Sequence, residues 1–191
     1  LSGTGGDDLF SGYRRHNALL LEKYWMKLPK SLIFLIQKLS NVLPSNRKLF
    51  RRLKKLVQFI DKDTNERLLA HHFWSNPNIV KNLFANEQII SETPMQFIYD
   101  RLEHLETDDL LEKSLLLERE YFLRDHNLQY TDKMSMATGV EVRVPFLDSN
   151  LVKFVQSIPS SIKMKHSTTK FVLKNIMAKR FFNKLAYRSK T

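Results

Sequence analysis

The chain has 191 residues, 42% of them hydrophobic, and a formal net charge of +11; that is enough apolar material for one domain with a sizeable core and argues against disorder. It holds no cysteine, which excludes a disulfide framework and a thiolate metal centre and fits a reducing compartment, so the expected location is cytoplasmic. No apolar run approaches the roughly 20 residues that span a bilayer. The longest, 31–36, is followed by Gln37-Lys38, which leaves no transmembrane segment and keeps only peripheral membrane contact open.

The first fourteen residues, Leu1-Ser2-Gly3-Thr4-Gly5-Gly6-Asp7-Asp8-Leu9-Phe10-Ser11-Gly12-Tyr13-Arg14, organise the rest. Glycines and small polar residues ahead of an apolar run predict a tight turn over 2–6 and then a helix. Backbone N–H groups bared by such a turn can hold an anion such as phosphate. Asp7 and Asp8 would repel a bare phosphate, so Mg²⁺ is expected between them and it. The other reading of the same residues is an N-capped turn whose carboxylates favour the first helical turn. With neither an initiator Met nor a leader pattern, the sequence is expected to begin inside a domain, with Leu1 at the end of a buried strand.

Helices follow at 18–27, 31–43, 47–60, 65–74 and 94–106, where apolar residues recur at three- and four-residue steps, separated by Pro29, Pro44-Ser45, residues 61–64 and Ser75-Asn76-Pro77. Breaks this short predict antiparallel neighbours. The 47–60 helix is basic and amphipathic, with Leu49, Leu53, Leu56, Val57 and Ile60 on one side and Arg51, Arg52, Lys54 and Lys55 on the other. Such a face is either solvated or in contact with anionic membranes or phosphates. No zinc-ligand spacing or aromatic strand motif of a nucleic-acid module accompanies it, so no nucleic-acid partner is expected. His71 and His72 point about 100° apart on a helix and read, with Trp74, as ordinary helix residues. A longer helix at 110–127 would bury Leu111, Leu115, Leu116, Tyr121 and Phe122.

The second informative stretch is Asp132-Lys133-Met134-Ser135-Met136-Ala137-Thr138-Gly139-Val140-Glu141-Val142-Arg143-Val144-Pro145-Phe146-Leu147-Asp148. Gly139 is expected to end a helix, 140–144 to alternate as a half-buried strand, and Pro145 to stop it. The alternation puts Glu141 and Arg143 on one face, as an ion pair or as joint partners of a polar ligand. Asp148 is a candidate cap for the next helix.

The pair of stretches, Ser2-Gly3-x-Gly5-Gly6-Asp7-Asp8-Leu9-Phe10-x-Gly12-Tyr13 and the 132–148 segment, resembles the synthetase domain of the glutamine-hydrolysing asparagine synthetases. Lys170-x-x-Leu173-Lys174 and Arg188-x-Lys190 fall where that family has similar elements. The resemblance implies a fold that is mainly α as covered here, the carboxyl-terminal helical part of an α/β N-type ATP pyrophosphatase (adenine nucleotide alpha hydrolase-like) synthetase domain. Residues 1–191 would be part of that domain, with 17–114 a divergent helical region. The family's pyrophosphate loop and the cysteine-headed glutaminase domain are not in this sequence, so these residues are expected to be inactive by themselves.

The implied chemistry is ATP-dependent amidation of a carboxylate through an acyl-adenylate, with aspartate as default substrate and AMP and pyrophosphate as products. ATP and Mg²⁺ are the implied cofactors, a glutaminase domain the source of ammonia, and a homodimer is left open. By resemblance Ser2, Gly3 and Gly5 belong to the turn that meets the nucleotide, and Asp7 to the pyrophosphate and its metal. Lys190 matches a late lysine whose ammonium would stabilise the pentavalent transition state and the leaving pyrophosphate. Asp8 stands where Glu is commoner.

Thr4 departs from the pattern, because the family usually has Glu or Asp there. A neutral hydroxyl cannot accept a proton from ammonia or hold an ammonium by charge, although it can orient a water or the substrate. The same adenylating chemistry on another acceptor is therefore an alternative, such as a β-lactam precursor, a peptide or a surface-sugar carboxylate. A basic helical module for membranes or nucleic acid is a third reading.

Overall fold

The computed structural model describes residues 1–44, 47–57, 59–72, 83, 96–181 and 186–187, without the side chains of Lys23, Lys30, Asn41, Lys48, Arg52, Leu53, Lys55 and Leu56. Its helices are Gly6–Leu9 (α1), Arg14–Trp25 (α2), Lys30–Val42 (α3), Lys48–Val57 (α4), Thr64–Ala70 (α5), Gln96–Glu103 (α6) and Leu110–Leu117 (α7). A π-helical stretch, Glu118–Leu128, links α7 to Gln129–Met136 (α8). A 3₁₀ turn at Pro145–Leu147, then Ser149–Ser157 (α9), Ser160–Lys163 (α10) and Phe171–Arg180 (α11), complete the order. Two units share these elements: Leu1–Leu20 with Asp109–Thr191, and Leu21–Asp108.

The helical character matches the expectation. The strands do not: among the described residues the only β-type pairing is an isolated bridge between Lys165 and Thr168. Residues 1–2 and 140–144 meet through one backbone hydrogen bond, from Ser2 N–H to the Arg143 carbonyl at 2.8 Å. A single bond is too little for a ladder, and Leu1 is 98% exposed rather than the end of a buried strand. The long helix also runs further than 110–127, passing through its π stretch to Met136. Leu111 and Leu115 are buried there as expected, whereas Leu116, Tyr121 and Phe122 are half-buried.

Aspartates start three helices. The Asp63 carboxylate accepts from the Asn65 and Glu66 N–H groups, Asp109 from those of Leu111 and Glu112, and Asp148 from those of Asn150 and Leu151. Asp109 does more, because its other oxygen accepts the hydroxyl of buried Ser160 at 2.5 Å. Asp63→Ala should therefore cost about 1 kcal/mol, the usual loss of a cap. Asp109→Ala should cost roughly 2–4 kcal/mol, because it also strands a buried hydroxyl. Urea unfolding of the two variants checks the difference.

In the second unit Val57, Ile60, Leu68, Leu69, Ala70, Ile98 and Leu102 are buried. Arg67 Nε donates to Glu22 at 2.5 Å, and its guanidinium also reaches the Lys62 carbonyl. Burial alone would push the Glu22 carboxyl up, but hydrogen bonds from His71 and Arg67 hold it below its ordinary value of 4.5. A carboxyl lowered by folding stabilises the fold above its unfolded pKa, and that stability is lost as the pH falls through the folded one. Stability should therefore decline below about pH 4.5, and Glu22→Gln should flatten that part of the stability–pH curve. His71 caps α5 and takes part in this contact, in line with its reading as a structural residue; Trp74 lies outside the described residues.

Candidate functional site

The first unit packs the two informative stretches onto each other. Leu9, Phe10 and Val155 form a buried cluster with Phe146, Leu147, Leu151, Val152, Val172 and Leu173 around it, and the Phe10 and Phe146 rings meet edge to face at 5.9 Å. The glycine turn rests on the 3₁₀ turn. A Cβ at Gly5 would lie 2.5 Å from Leu147 Cδ2, and Gly5 has φ of +88°, so both contact and backbone require glycine there. The Ser2–Arg143 hydrogen bond holds the other end of the same interface.

The turn is less bare than its sequence predicts. The N–H of Ser2 is taken by Arg143, that of Thr4 by Ser2 Oγ at 3.2 Å, and that of Gly6 by the Gly3 carbonyl at 3.1 Å. Openness remains at Gly3, where a Cβ would meet nothing within 4 Å. The helix that follows, α1, is a single turn with no side-chain cap, so it is not an extended dipole aimed at an anion. Thr4 Oγ1 lies 2.7 Å from Ser2 Oγ and 3.5 Å from Thr131 Oγ1. Since Thr131 donates to the Asn127 carbonyl at 2.7 Å, its oxygen is left to accept from Thr4, and Thr4 in turn to accept from Ser2. Three hydroxyls thus stand in a row from the turn to α8.

The two adjacent aspartates part company. Asp8 is 1% exposed; its Oδ1 accepts from the Tyr13 hydroxyl at 3.0 Å and from Asn127 Nδ2 at 3.4 Å. Burial, opposed by the Tyr13 hydrogen bond and aided by the nearby Glu118 charge, raises its pKa, and burial beside Asp8 likewise raises that of Tyr13. Asp8 is therefore a structural group and not one of two carboxylates facing a metal. Asp7 is partly open, and the Lys170 ammonium lies 2.8 Å from its Oδ1. That contact is an ion pair without hydrogen-bond geometry, so Oδ1 remains a buried acceptor with no hydrogen bond.

Strained backbone fixes the pair. Lys170 and Ser11 both adopt left-handed conformations, with φ of 54° and 59°, and the Lys170 N–H donates to the Ser11 carbonyl at 3.3 Å. Gly12 lies between the charged partners: a Cβ there would sit 1.7 Å from Asp7 Oδ1 and 2.5 Å from Lys170 Cε. Sequence reasoning had singled out Lys170 without giving it a role; its charge, opposite to the Asp7-Asp8 pair, was the available signal. Lys190 and Arg188 lie outside the described residues.

Glu141 and Arg143 pair at 2.8 Å, but both side chains are more than 70% exposed. A surface pair contributes at most about 1 kcal/mol, so the segment from 140 to 147 is held by the Phe146 and Leu147 packing rather than by this pair. Gly139, with φ of +67°, closes α8, and the Val140 N–H reaches back to Ser135.

A second polar network lies behind the site. Arg15 Nε donates to Glu118 Oε1 at 2.6 Å, His16 Nε2 stands 2.8 and 2.9 Å from the two Glu118 oxygens, and His16 Nδ1 is 2.9 Å from Ser11 Oγ. Hydroxyl, imidazole and carboxylate in this order have the form of an activated nucleophile. Ser11, His16 and Glu118 are each 0% exposed, so no substrate reaches them and the network serves the fold.

The family model for asparagine synthase matches residues 1–191. The chain belongs to the asparagine synthase family. The glutamine-hydrolyzing asparagine synthetase 1 of Bacillus subtilis (strain 168) is 25% identical over 190 residues, which cover 91% of this chain and 27% of that protein. A putative glutamine-hydrolyzing asparagine synthetase of Mycobacterium bovis is 26% identical over 194 residues, 93% of this chain and 26% of that one. A putative glutamine-hydrolyzing asparagine synthetase 1 of Methanocaldococcus jannaschii is 41% identical over 66 residues, 35% of this chain and 12% of that one. The chain thus spans about a quarter of the length of the first two of these asparagine synthetases. No solved structure matches it.

Proposed function

We propose that the chain is the carboxyl-terminal part of a synthetase domain of the α/β N-type ATP pyrophosphatase type, and that the whole protein amidates a carboxylate through an acyl-adenylate. Aspartate is the default acceptor, glutamine-derived ammonia the nitrogen donor, and AMP and pyrophosphate the products. Membership of the asparagine synthase family supports the class of chemistry. The observation that carries the assignment of the site is the partly open Asp7–Lys170 pair at 2.8 Å, placed by strained backbone beside the glycine turn.

Ser2, Gly3 and Gly5 form the turn that would meet the nucleotide, with the open approach at Gly3. Among the described residues no group of three or more His, Cys, Asp or Glu is placed to hold a metal ion. Asp7 Oδ1 is enclosed against Lys170, so the outward part of the partly exposed carboxylate would hold Mg²⁺ as a single protein ligand, with phosphate oxygens and water completing the shell. Bound there, Mg²⁺ would neutralise charge on the departing pyrophosphate. Lys170 holds the Asp7 carboxylate in place, and Lys190 is assigned to the transferring phosphoryl group by its motif alone.

Thr4 favours a second reading with a different acceptor. Its hydroxyl is occupied by Ser2 and Thr131 and brings no charge to an incoming ammonia. Aspartate-dependent pyrophosphate release by the full-length parent and by its Thr4→Glu variant separates the readings. The default acceptor predicts a response in both, at least as strong in the variant. Silence of both towards aspartate rejects it and leaves another carboxylate.

A further inference from the structure

The second unit carries a charge and an apolar face that the amidation reading does not use. Between Glu22 and Asp61 the sequence has ten lysines and arginines and no aspartate or glutamate. Nearly all of the net charge of +11 therefore arises in the segment that holds the end of α2, all of α3 and all of α4. Arg47 and Arg51 of the α4 region, and Lys27 and Lys38 before it, are exposed.

α3 is apolar on two sides. Ile33 and Ile36 are half-buried and Ser40 is buried. Leu32, Leu35, Leu39 and Val42, three or four residues apart and so in one stripe, are 40%, 50%, 58% and 84% exposed, with Phe34 beside them at 65%. Leu49 of α4 adds another large apolar side chain at 71%, and α3 and α4 pack against each other. A helix apolar all round is normally enclosed, and a surface stripe of this kind marks a contact.

We infer that α3 and α4 form a docking surface for an anionic phospholipid bilayer. The stripe enters the boundary between headgroups and acyl chains, and the cations around it hold anionic headgroups. Three features select this occupant. A nucleic acid would satisfy the cations but leave Leu32, Phe34, Leu35, Leu39 and Val42 in water. A second copy of this chain would set one cationic face against another. No helix among the described residues is long and apolar enough to cross a membrane, which leaves the pair lying on the surface. None of these residues belongs to the candidate site, so the inference stands whether or not the amidation reading does.

Flotation of the full-length parent protein with vesicles tests it, using phosphatidylcholine alone and phosphatidylcholine mixed with phosphatidylglycerol. Binding is expected only with phosphatidylglycerol and should fall steeply with salt. Changing Arg51, Arg52, Lys54 and Lys55 to Gln should weaken it by roughly 600-fold, about fivefold per charge. Leu35→Gln with Leu39→Gln should weaken it about tenfold or more, with helicity unchanged. Absence of binding to the anionic vesicles overturns the inference. So does binding that ignores the two leucine changes while double-stranded DNA is bound as tightly, which would make this a phosphate-binding face. Failure of a soluble maleimide to label Leu35→Cys and Leu39→Cys in the folded, vesicle-free parent also overturns it, because the stripe would then be covered by the parent chain or by a second copy.

Discussion

Replacing Glu118 with alanine is expected to destabilise the first unit by about 3–5 kcal/mol, the usual loss when one partner of a buried ion pair is removed. The Glu118 carboxylate receives Arg15 Nε at 2.6 Å and His16 Nε2 at 2.8 Å, and is itself 0% exposed. The Arg15 guanidinium has few alternatives. It lies 4.1 Å from the Tyr13 ring centre and 5.0 Å from that of Phe122, and its Nη2 is buried with no hydrogen bond. Without Glu118 a cation stays enclosed by aromatic faces with no counter-charge, and the His16 ring loses one of its two partners. Glu118→Gln keeps the shape and one acceptor, so its loss should be smaller. Urea unfolding of the parent and both variants checks the order; an alanine effect below about 1 kcal/mol would show that water replaces the carboxylate.

The second large effect is on activity. Asp7→Asn should lower ATP–pyrophosphate exchange by the full-length parent about 100- to 1,000-fold, the scale of removing one preorganised electrostatic group from a reacting centre. Stability should change little, because Asp7 is partly exposed and its charged contact among the described residues is the partly exposed Lys170. Gly12→Ala should produce a similar loss by another route, since its Cβ would occupy the space of Asp7 Oδ1 and push the carboxylate from Lys170. If Gly12→Ala loses exchange while Asp7→Asn retains it, the glycine matters for the fold of the turn and the carboxylate assignment fails.

The sequence was informative where a single residue type answers a local geometric demand. Gly139 ending α8, Asp148 capping α9 and the helical register of 110–117 are of this kind, and all are present. The alternation of Val140, Val142 and Val144 predicted a strand, but alternation cannot name a partner, and the segment meets Ser2 through a single backbone bond. Asp7 and Asp8 were indistinguishable as letters. Their different fates follow from the ~100° turn between successive helical residues, which sends Asp8 inward to Tyr13 and Asn127 and leaves Asp7 facing Lys170.

The Ser11–His16–Glu118 network had no local signature, because Glu118 lies 102 residues from His16. Nor does the composition of Glu118–Leu128 distinguish a π-helical stretch from an α-helical one, yet this stretch places Glu118 and Asn127 on their partners. The motif resemblance supplied what local rules could not: that two segments far apart in sequence would come together. Gly5 against Leu147 and Ser2 against Arg143 are the contacts that realise it.

ATP–pyrophosphate exchange by the full-length parent, with and without aspartate and then with other carboxylates, tests the account most directly. It predicts exchange that depends on a carboxylate acceptor and is lost in Asp7→Asn. A folded, ATP-binding parent that gives no exchange with any carboxylate, or an Asp7→Asn variant that exchanges at the parental rate, would contradict it.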